Sequence, residues 1–146
     1  VSVTRAEIVA AAEGWRGTSY RHQGSLKGVG CDCLGLVRGV WRETIGPEPE
    51  PVPVYTPDWA EAGGEEALAA AGFRHLVPVA PEARRPGDLL LFRWRMGVPA
   101  KHVGILATPD RFLHAYDAAG GVVASPLSPW WTRRLAFVFA FPGVRD

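Results

Sequence analysis

Five short apolar stretches crowd into residues 89–141, and a chain that carries such a run has to bury it as a sheet of hairpin-linked strands. Leu89-Leu90-Leu91-Phe92 follows the turn Pro86-Gly87-Asp88, and His102-Val103-Gly104-Ile105-Leu106 comes next. Pro109-Asp110 turns the chain into Arg111-Phe112-Leu113-His114-Ala115-Tyr116, Gly120-Gly121 precedes Val122-Val123, and the aromatic-rich segment Ala136 to Phe141 closes the series. The first half has a different period. Thr4 and Glu7 form a Thr-x-x-Glu capping box ahead of Ile8, Val9, Ala11, Ala12 and Trp15, which predicts a helix ending near Gly14 or Gly17. A polar, Gly-rich loop runs from Thr18 to Gly30. A second helix is expected to begin at Asp32 or Cys33, because Leu36, Val37, Val40 and Trp41 form one apolar face before Gly46-Pro47 ends it. Helices first and strands afterwards is an α+β pattern.

Residues 46 to 58 hold five prolines, at 47, 49, 51, 53 and 57, and read as an extended surface excursion. The segment before it is too short to be a separate domain, so one domain covering 1–146 is expected. Glu65 to Ala71 reads as a short helix with Gly72 as its stop. A net charge of +1 gives no reason to invoke nucleic acid. The basic groups Arg84-Arg85, Arg93-Arg95-Lys101 and Arg133-Arg134 read as solvated surface, with contact to a carboxylate-rich substrate as the alternative. No run of about 18 apolar residues is present, so no membrane span is expected. Val1 to Glu7 lacks a basic segment followed by an apolar one, so synthesis and folding in the cytoplasm is the expectation, with another agent carrying the protein to any outside substrate.

The two cysteines, Cys31 and Cys33, exclude a disulfide framework, and a bridge between residues two apart would close a strained ring. Both thiols are taken as free. Cys33 follows a Gly-rich loop and opens a helix, where unpaired N–H groups and the helix dipole favour a thiolate and a lowered pKa. Asp32 would oppose this unless its carboxylate caps backbone N–H groups and points away from the sulfur. A thiolate needs a base, and His102 and His114 lie in successive strands that can place them on one sheet face. Taken singly, each is as readily a satisfied sheet histidine. Tyr20 could donate to an oxyanion together with the Cys33 amide, or it could be a surface tyrosine in a polar loop. Cys31 is preferred as a small buried hydrophobe over a Cys-x-Cys metal site with His22 or His102. Six tryptophans are many for this length; Trp15 and Trp41 fit the helix cores, and Trp130-Trp131 reads as core in preference to a docking surface.

Five segments in order resemble the NlpC/P60 cysteine peptidases: Gly17-Thr18-Ser19-Tyr20, Gly30-Cys31-Asp32-Cys33-Leu34-Gly35-Leu36-Val37, Pro86-Gly87-Asp88-Leu89-Leu90-Leu91-Phe92, Lys101-His102-Val103-Gly104-Ile105 and Phe112-Leu113-His114-Ala115. The resemblance implies a papain-like α+β fold with the nucleophile helix packed on an antiparallel sheet. It implies Cys33 as nucleophile, His102 as base, His114 as the residue that orients the base, and Tyr20 near the oxyanion site. Two thiols at Cys-x-Cys spacing are not a usual zinc clamp, so no metal and no cofactor is expected. The implied reaction is hydrolysis of peptidoglycan stem peptides, often between D-glutamate and a diamino acid. The Pro-rich excursion and the Trp130-Trp131 tail look like the branch found among tail proteins of phages and gene transfer agents, so tail or baseplate proteins are expected partners and the periplasm the place of action. The rival readings are an amidase or acyl transferase on another substrate, and a structural tail-tip component with little activity. The family's Asp-Cys-Ser-Gly reads Asp32-Cys33-Leu34-Gly35 here, which should change one subsite contact.

Overall fold

The computed structural model describes residues 2–51 and 66–146. Helix α1 covers Arg5–Glu13, and its capping box is closed: the Glu7 amide donates to Thr4 Oγ1 at 3.1 Å and the Thr4 amide donates to Glu7 Oε1 at 3.3 Å. Helix α2 covers Cys33–Thr44 and is capped by Asp32, whose Oδ1 accepts from the Gly35 amide at 2.7 Å. Two short strands, β1 (Ser25–Leu26) and β2 (Gly30–Cys31), make a small hairpin inside the Gly-rich loop just before α2. The helices meet at Gly39, where a Cβ would fall 1.9 Å from Trp15 Cζ2. Trp15 is buried there, and its Nε1 donates to Glu43 at 2.9 Å.

Helix α3 (Ala67–His75) leads into β3 (Val77–Val79), followed by β4 (Leu89–Phe92), β5 (His102–Thr108), β6 (Arg111–Tyr116), β7 (Gly121–Pro126), helix α4 (Pro129–Thr132) and β8 (Leu135–Ala140). The strands form one six-stranded sheet in the order β3-β8-β4-β5-β6-β7, antiparallel at every step. The α+β reading and the antiparallel sheet therefore hold. Alternation along the strands divides the core between the two faces. Leu89, Leu91, Val103, Ile105, Leu113 and Phe139 pack with the helices, whereas Leu90, Phe92, Leu106, Phe112 and Val138 pack around Trp131 of α4. Strand β4 is buried on both sides, which is why it reads as an unbroken Leu-Leu-Leu-Phe. The turn before it is tied to α1, since the buried Asp88 carboxylate accepts from Arg5 Nη1 at 2.7 Å and from the Arg85 amide at 2.9 Å.

Two expectations need adjustment, and one strand was not expected. Gly72 does not stop its helix. It lies inside α3, because the missing Cβ lets the Phe139 ring approach to 2.6 Å of where that atom would sit. The helix ends instead before Val77-Pro78, since a residue preceding proline disfavours the α region. Strand β3 carries no strand signal in the sequence, being three residues long with a central proline, a sequence tolerated only at a sheet edge, where the topology puts it. The core reading of Trp130-Trp131 holds for Trp131 but not for Trp130, which is 43% exposed with the Arg134 guanidinium 3.6 Å over its ring. Residue 65 and residues 52–58 of the Pro-rich excursion lie outside the described residues. The described part, 46–51, packs back on α2: Trp41 Nε1 donates to the Pro47 carbonyl at 2.9 Å, and Arg38 and Arg42 both bind Glu48. No helix among the described residues is long and apolar enough to cross a membrane.

Candidate active site

Cys33 is the first residue of α2, and the Asp32 cap fixes where it points. Besides capping Gly35, Asp32 accepts from the Gln23 amide at 2.8 Å, so its two oxygens hold the loop and the helix together. The expectation that Asp32 serves backbone N–H groups holds. The sulfur lies against the start of β5. Its S–H donates to the Lys101 carbonyl at 3.8 Å, and the backbone N–H groups of Val103, Leu34 and Cys33 itself point at it. Lys101 and Val103 are the two chain neighbours of His102. Cys31, two residues earlier, is fully buried in the helix-side core, as a small hydrophobe would be.

His102 and His114 occupy the other face of the sheet. Ile105 pairs with Leu113 and Leu106 with Phe112, a register that carries Gly104 opposite His114 and leaves His102 on the diagonal. Gly104 makes this diagonal usable, because a Cβ there would sit 2.7 Å from Phe112 Cδ2 and 3.2 Å from His114 Cβ. His102 Nε2 and His114 Nδ1 are 2.7 Å apart. Trp94 stacks on His102 at 5.1 Å between centroids, Tyr116 stacks on His114 at 5.0 Å, and Trp131 lies against both rings. The nucleophile candidate thus comes from the helix layer and the imidazole pair from the opposite layer, with the first residues of β5 as the junction. Among the described residues, the hydrogen bond made by the His102 side chain goes to His114, and the sulfur's partners are backbone groups.

Tyr20 is held beside this junction. It bridges Cys31, and its amide donates to the Gly120 carbonyl at 2.8 Å. Burial raises its phenol pKa above the ordinary value, and the nearby Cys33, Asp32 and Asp117 add to this, so it stays a hydrogen-bond donor. Two residues here gave no sequence signal. Ser125 Oγ lies 2.8 Å from His114 Nε2, yet a lone serine near a strand end is unremarkable in a sequence. Trp94 follows β4 in a polar turn, and only the fold brings it to His102. Among the described residues, no cluster of three or more His, Cys, Asp or Glu is arranged to hold a metal ion.

The electrostatics correct one expectation. The helix N-terminus does not leave Cys33 with a lowered pKa. Burial pushes the thiol up to about 12 and the Asp32 charge adds to that, while the three backbone N–H groups only partly offset it. Burial lowers His114 to about 4, and burial followed by the His114 charge lowers His102 well below its ordinary range. At neutral pH the resting site therefore holds a thiol and two neutral imidazoles. Alkylation of Cys33 by iodoacetamide, followed by mass spectrometry, should accelerate steadily up to about pH 10. A rate already level at about pH 7 would mean that a thiolate–imidazolium pair is preformed.

The same shifts bear on stability. Above the unfolded value of 6.5, neither the folded nor the unfolded chain protonates these rings. As pH falls below it, the unfolded chain takes up protons that the folded chain refuses, so stability is lost from 6.5 down to about 4, where His114 itself protonates. The expected slope is about 1.4 kcal/mol per pH unit for each histidine. Urea titrations across this range should show it, and His114→Gln should make it shallower. Equal slopes would remove His114 from the account.

The NlpC/P60 family model matches residues 17–139. The murein DD-endopeptidase MepS/murein LD-carboxypeptidase of Escherichia coli (strain K12) is 34% identical over 120 residues, covering 82% of this chain and 54% of that protein. The gamma-DL-glutamyl hydrolase of Bacillus subtilis (strain 168) is 28% identical over 140 residues, covering 94% of this chain and 29% of that protein. The chain thus spans about half, or less, of the length of these curated relatives. Among solved structures, the NlpC/p60 domain of the peptidoglycan hydrolase SagA matches 95% of this chain and 100% of its own, with a TM-score of 0.67 at 23% identity. At these identities the structural likeness speaks for the fold.

Proposed function

The chain belongs to the NlpC/P60 family, and on that premise we propose that it is a cysteine peptidase that hydrolyses peptidoglycan stem peptides, with Cys33 as nucleophile and His102 as base. The observation that carries the reading is the imidazole pair, His102 Nε2 to His114 Nδ1 at 2.7 Å, at the start of β5, where the backbone flanking His102 touches the Cys33 sulfur. With Nε2 committed to His114, Nδ1 is the nitrogen left for the thiol proton. Starting from the neutral pair, Cys33 attacks the scissile carbonyl as its proton passes to His102. The Cys33 amide and the Tyr20 phenol hold the oxyanion, His102 protonates the leaving amine, and water then releases the acyl group from the sulfur.

The Bacillus relative is named for a gamma-glutamyl bond, and the Escherichia coli relative for DD and LD bonds of murein. We place the cut at the D-glutamyl–diamino acid bond. Digestion of purified muropeptides, read by mass spectrometry, tests this. Fragments ending in D-glutamate are expected; fragments cut only between D-residues would move the scissile bond, and an untouched substrate would overturn the reading. We also propose delivery by a phage-like or gene transfer agent tail, supported by the likeness of the Pro-rich excursion and the Trp130-Trp131 segment to that branch. Fractionation of purified particles, with antibody against this chain, should find it there; its presence only in particle-free fractions would refute that route.

A further inference from the structure

We infer that Ser125 is a positioning residue that stabilises the histidine tautomers in which the thiol meets the basic nitrogen of His102. Ser125 lies on β7, paired with Phe112 of β6, and its Oγ is 2.8 Å from His114 Nε2. With the His102–His114 contact of 2.7 Å this makes one chain of hydrogen bonds, His102 to His114 to Ser125. The inference rests on the hydrolytic reading for its purpose, but the chain is a property of the resting protein.

The direction of the chain follows from proton counting. A neutral imidazole has one N–H and one lone pair. If His102 Nδ1 is to take the thiol proton, the hydrogen of neutral His102 sits on Nε2. His114 Nδ1 must then accept, so the hydrogen of His114 sits on Nε2, and Ser125 Oγ is what accepts it. When His102 becomes an imidazolium both its nitrogens carry hydrogen, and its Nε2–H still donates to His114 without any rearrangement. With the opposite tautomers, His114 Nδ1–H would face His102 Nε2–H at that step. A hydroxyl can accept from an Nε2–H or donate to a bare Nε2, so Ser125 serves either set; its particular contribution is to give a buried Nε2–H an acceptor, which the productive set needs. His114 is fully buried among Phe112, Tyr116 and Trp131, so an Nε2–H deprived of Ser125 would be left unsatisfied in an apolar enclosure. The proton would then move to Nδ1, and His102 would be turned from a base toward the thiol into a donor. Burial supports this by keeping His114 neutral at pH 7, with its pKa lowered to about 4.

The test is a long-range ¹H–¹⁵N spectrum of the full chain labelled at histidine, at pH 7, for the wild type, Ser125→Ala and Ser125→Thr, with the amide spectrum as the check on folding. The wild type should show His114 protonated on Nε2. Ser125→Ala should move His114 toward the Nδ1–H form and slow Cys33 alkylation about tenfold. Ser125→Thr, which keeps the hydroxyl, should restore both. A wild type with the His114 proton on Nδ1 overturns the inference without any variant. An unchanged His114 signature in folded Ser125→Ala overturns it equally. Neither result depends on what the enzyme cuts, so failure here and failure of the muropeptide digestion remain separate findings.

Discussion

Replacing Cys33 by alanine is expected to lower muropeptide turnover by at least about 10⁴-fold while leaving the fold intact. The activity side follows from the layout of the site. The sulfur is held against the start of β5 by backbone groups on both sides of His102, and no covalent acyl intermediate on Cys33 can form without it. His102→Ala should cost about as much, because a nucleophile and its base act as a unit and losing either loses both. His114→Ala should cost less, since His114 touches His102 rather than the reacting bond. The stability side is equally definite. Cys33 is half-buried and contributes no cap, so its loss should change folding stability by no more than about 1 kcal/mol. Residual turnover in folded Cys33→Ala, measured on the same muropeptides, would remove Cys33 from the mechanism. A reversed order of the two histidine variants would exchange their roles.

The parts of this site that show in the sequence are those set by local rules. A capping box, a run of hairpin turns and two histidines in successive strands are each written within a few residues, and each stands where local chemistry puts it. What does not show is set by contacts between distant segments. Gly72 carries a helix-stop signal that is overridden because Phe139, from the last strand, needs the space. The helix N-terminus at Cys33 suggests an acidic thiol, but the enclosure that raises its pKa is built from segments far apart in the chain. Ser125 lies eleven residues from His114 and belongs to the site only through the β6–β7 register. The division between the two sheet faces has the same origin. Alternation within β5 is legible, but which layer covers which face depends on where α2 and α4 pack, and that decides that thiol and imidazole approach from opposite sides.

The largest effect away from the reacting groups is expected at Gly35. A Cβ on Gly35 would fall 1.7 Å from the Gly24 carbonyl oxygen and 2.9 Å from its carbon. These are backbone atoms, and they cannot swing aside as a side chain could. Gly24 is fixed from both directions: its amide donates to the Arg21 carbonyl at 2.9 Å, and its carbonyl accepts from the Asp32 amide at 3.2 Å. Ser25 Oγ donates to the Gly35 carbonyl at 2.7 Å, which closes the loop onto the helix a second time. One added methyl group therefore has to separate the loop from the first turn of α2, and that turn carries Cys33. Forced overpacking of this kind costs about 1–3 kcal/mol, which in a chain of this length lowers Tm by several degrees, about 2–4 °C per kcal/mol. The kinetic cost is larger, because a nucleophile displaced by about 1 Å loses about 100-fold in rate. Gly35→Ala should thus melt measurably earlier and cleave muropeptides about 100-fold more slowly. Alkylation of Cys33 should change as well, since the Leu34 and Val103 amides would no longer both reach the sulfur. If Gly35→Ala kept wild-type turnover and Tm, the loop would have room to move, and the interlock of Gly24, Asp32 and Gly35 would not be what places the nucleophile.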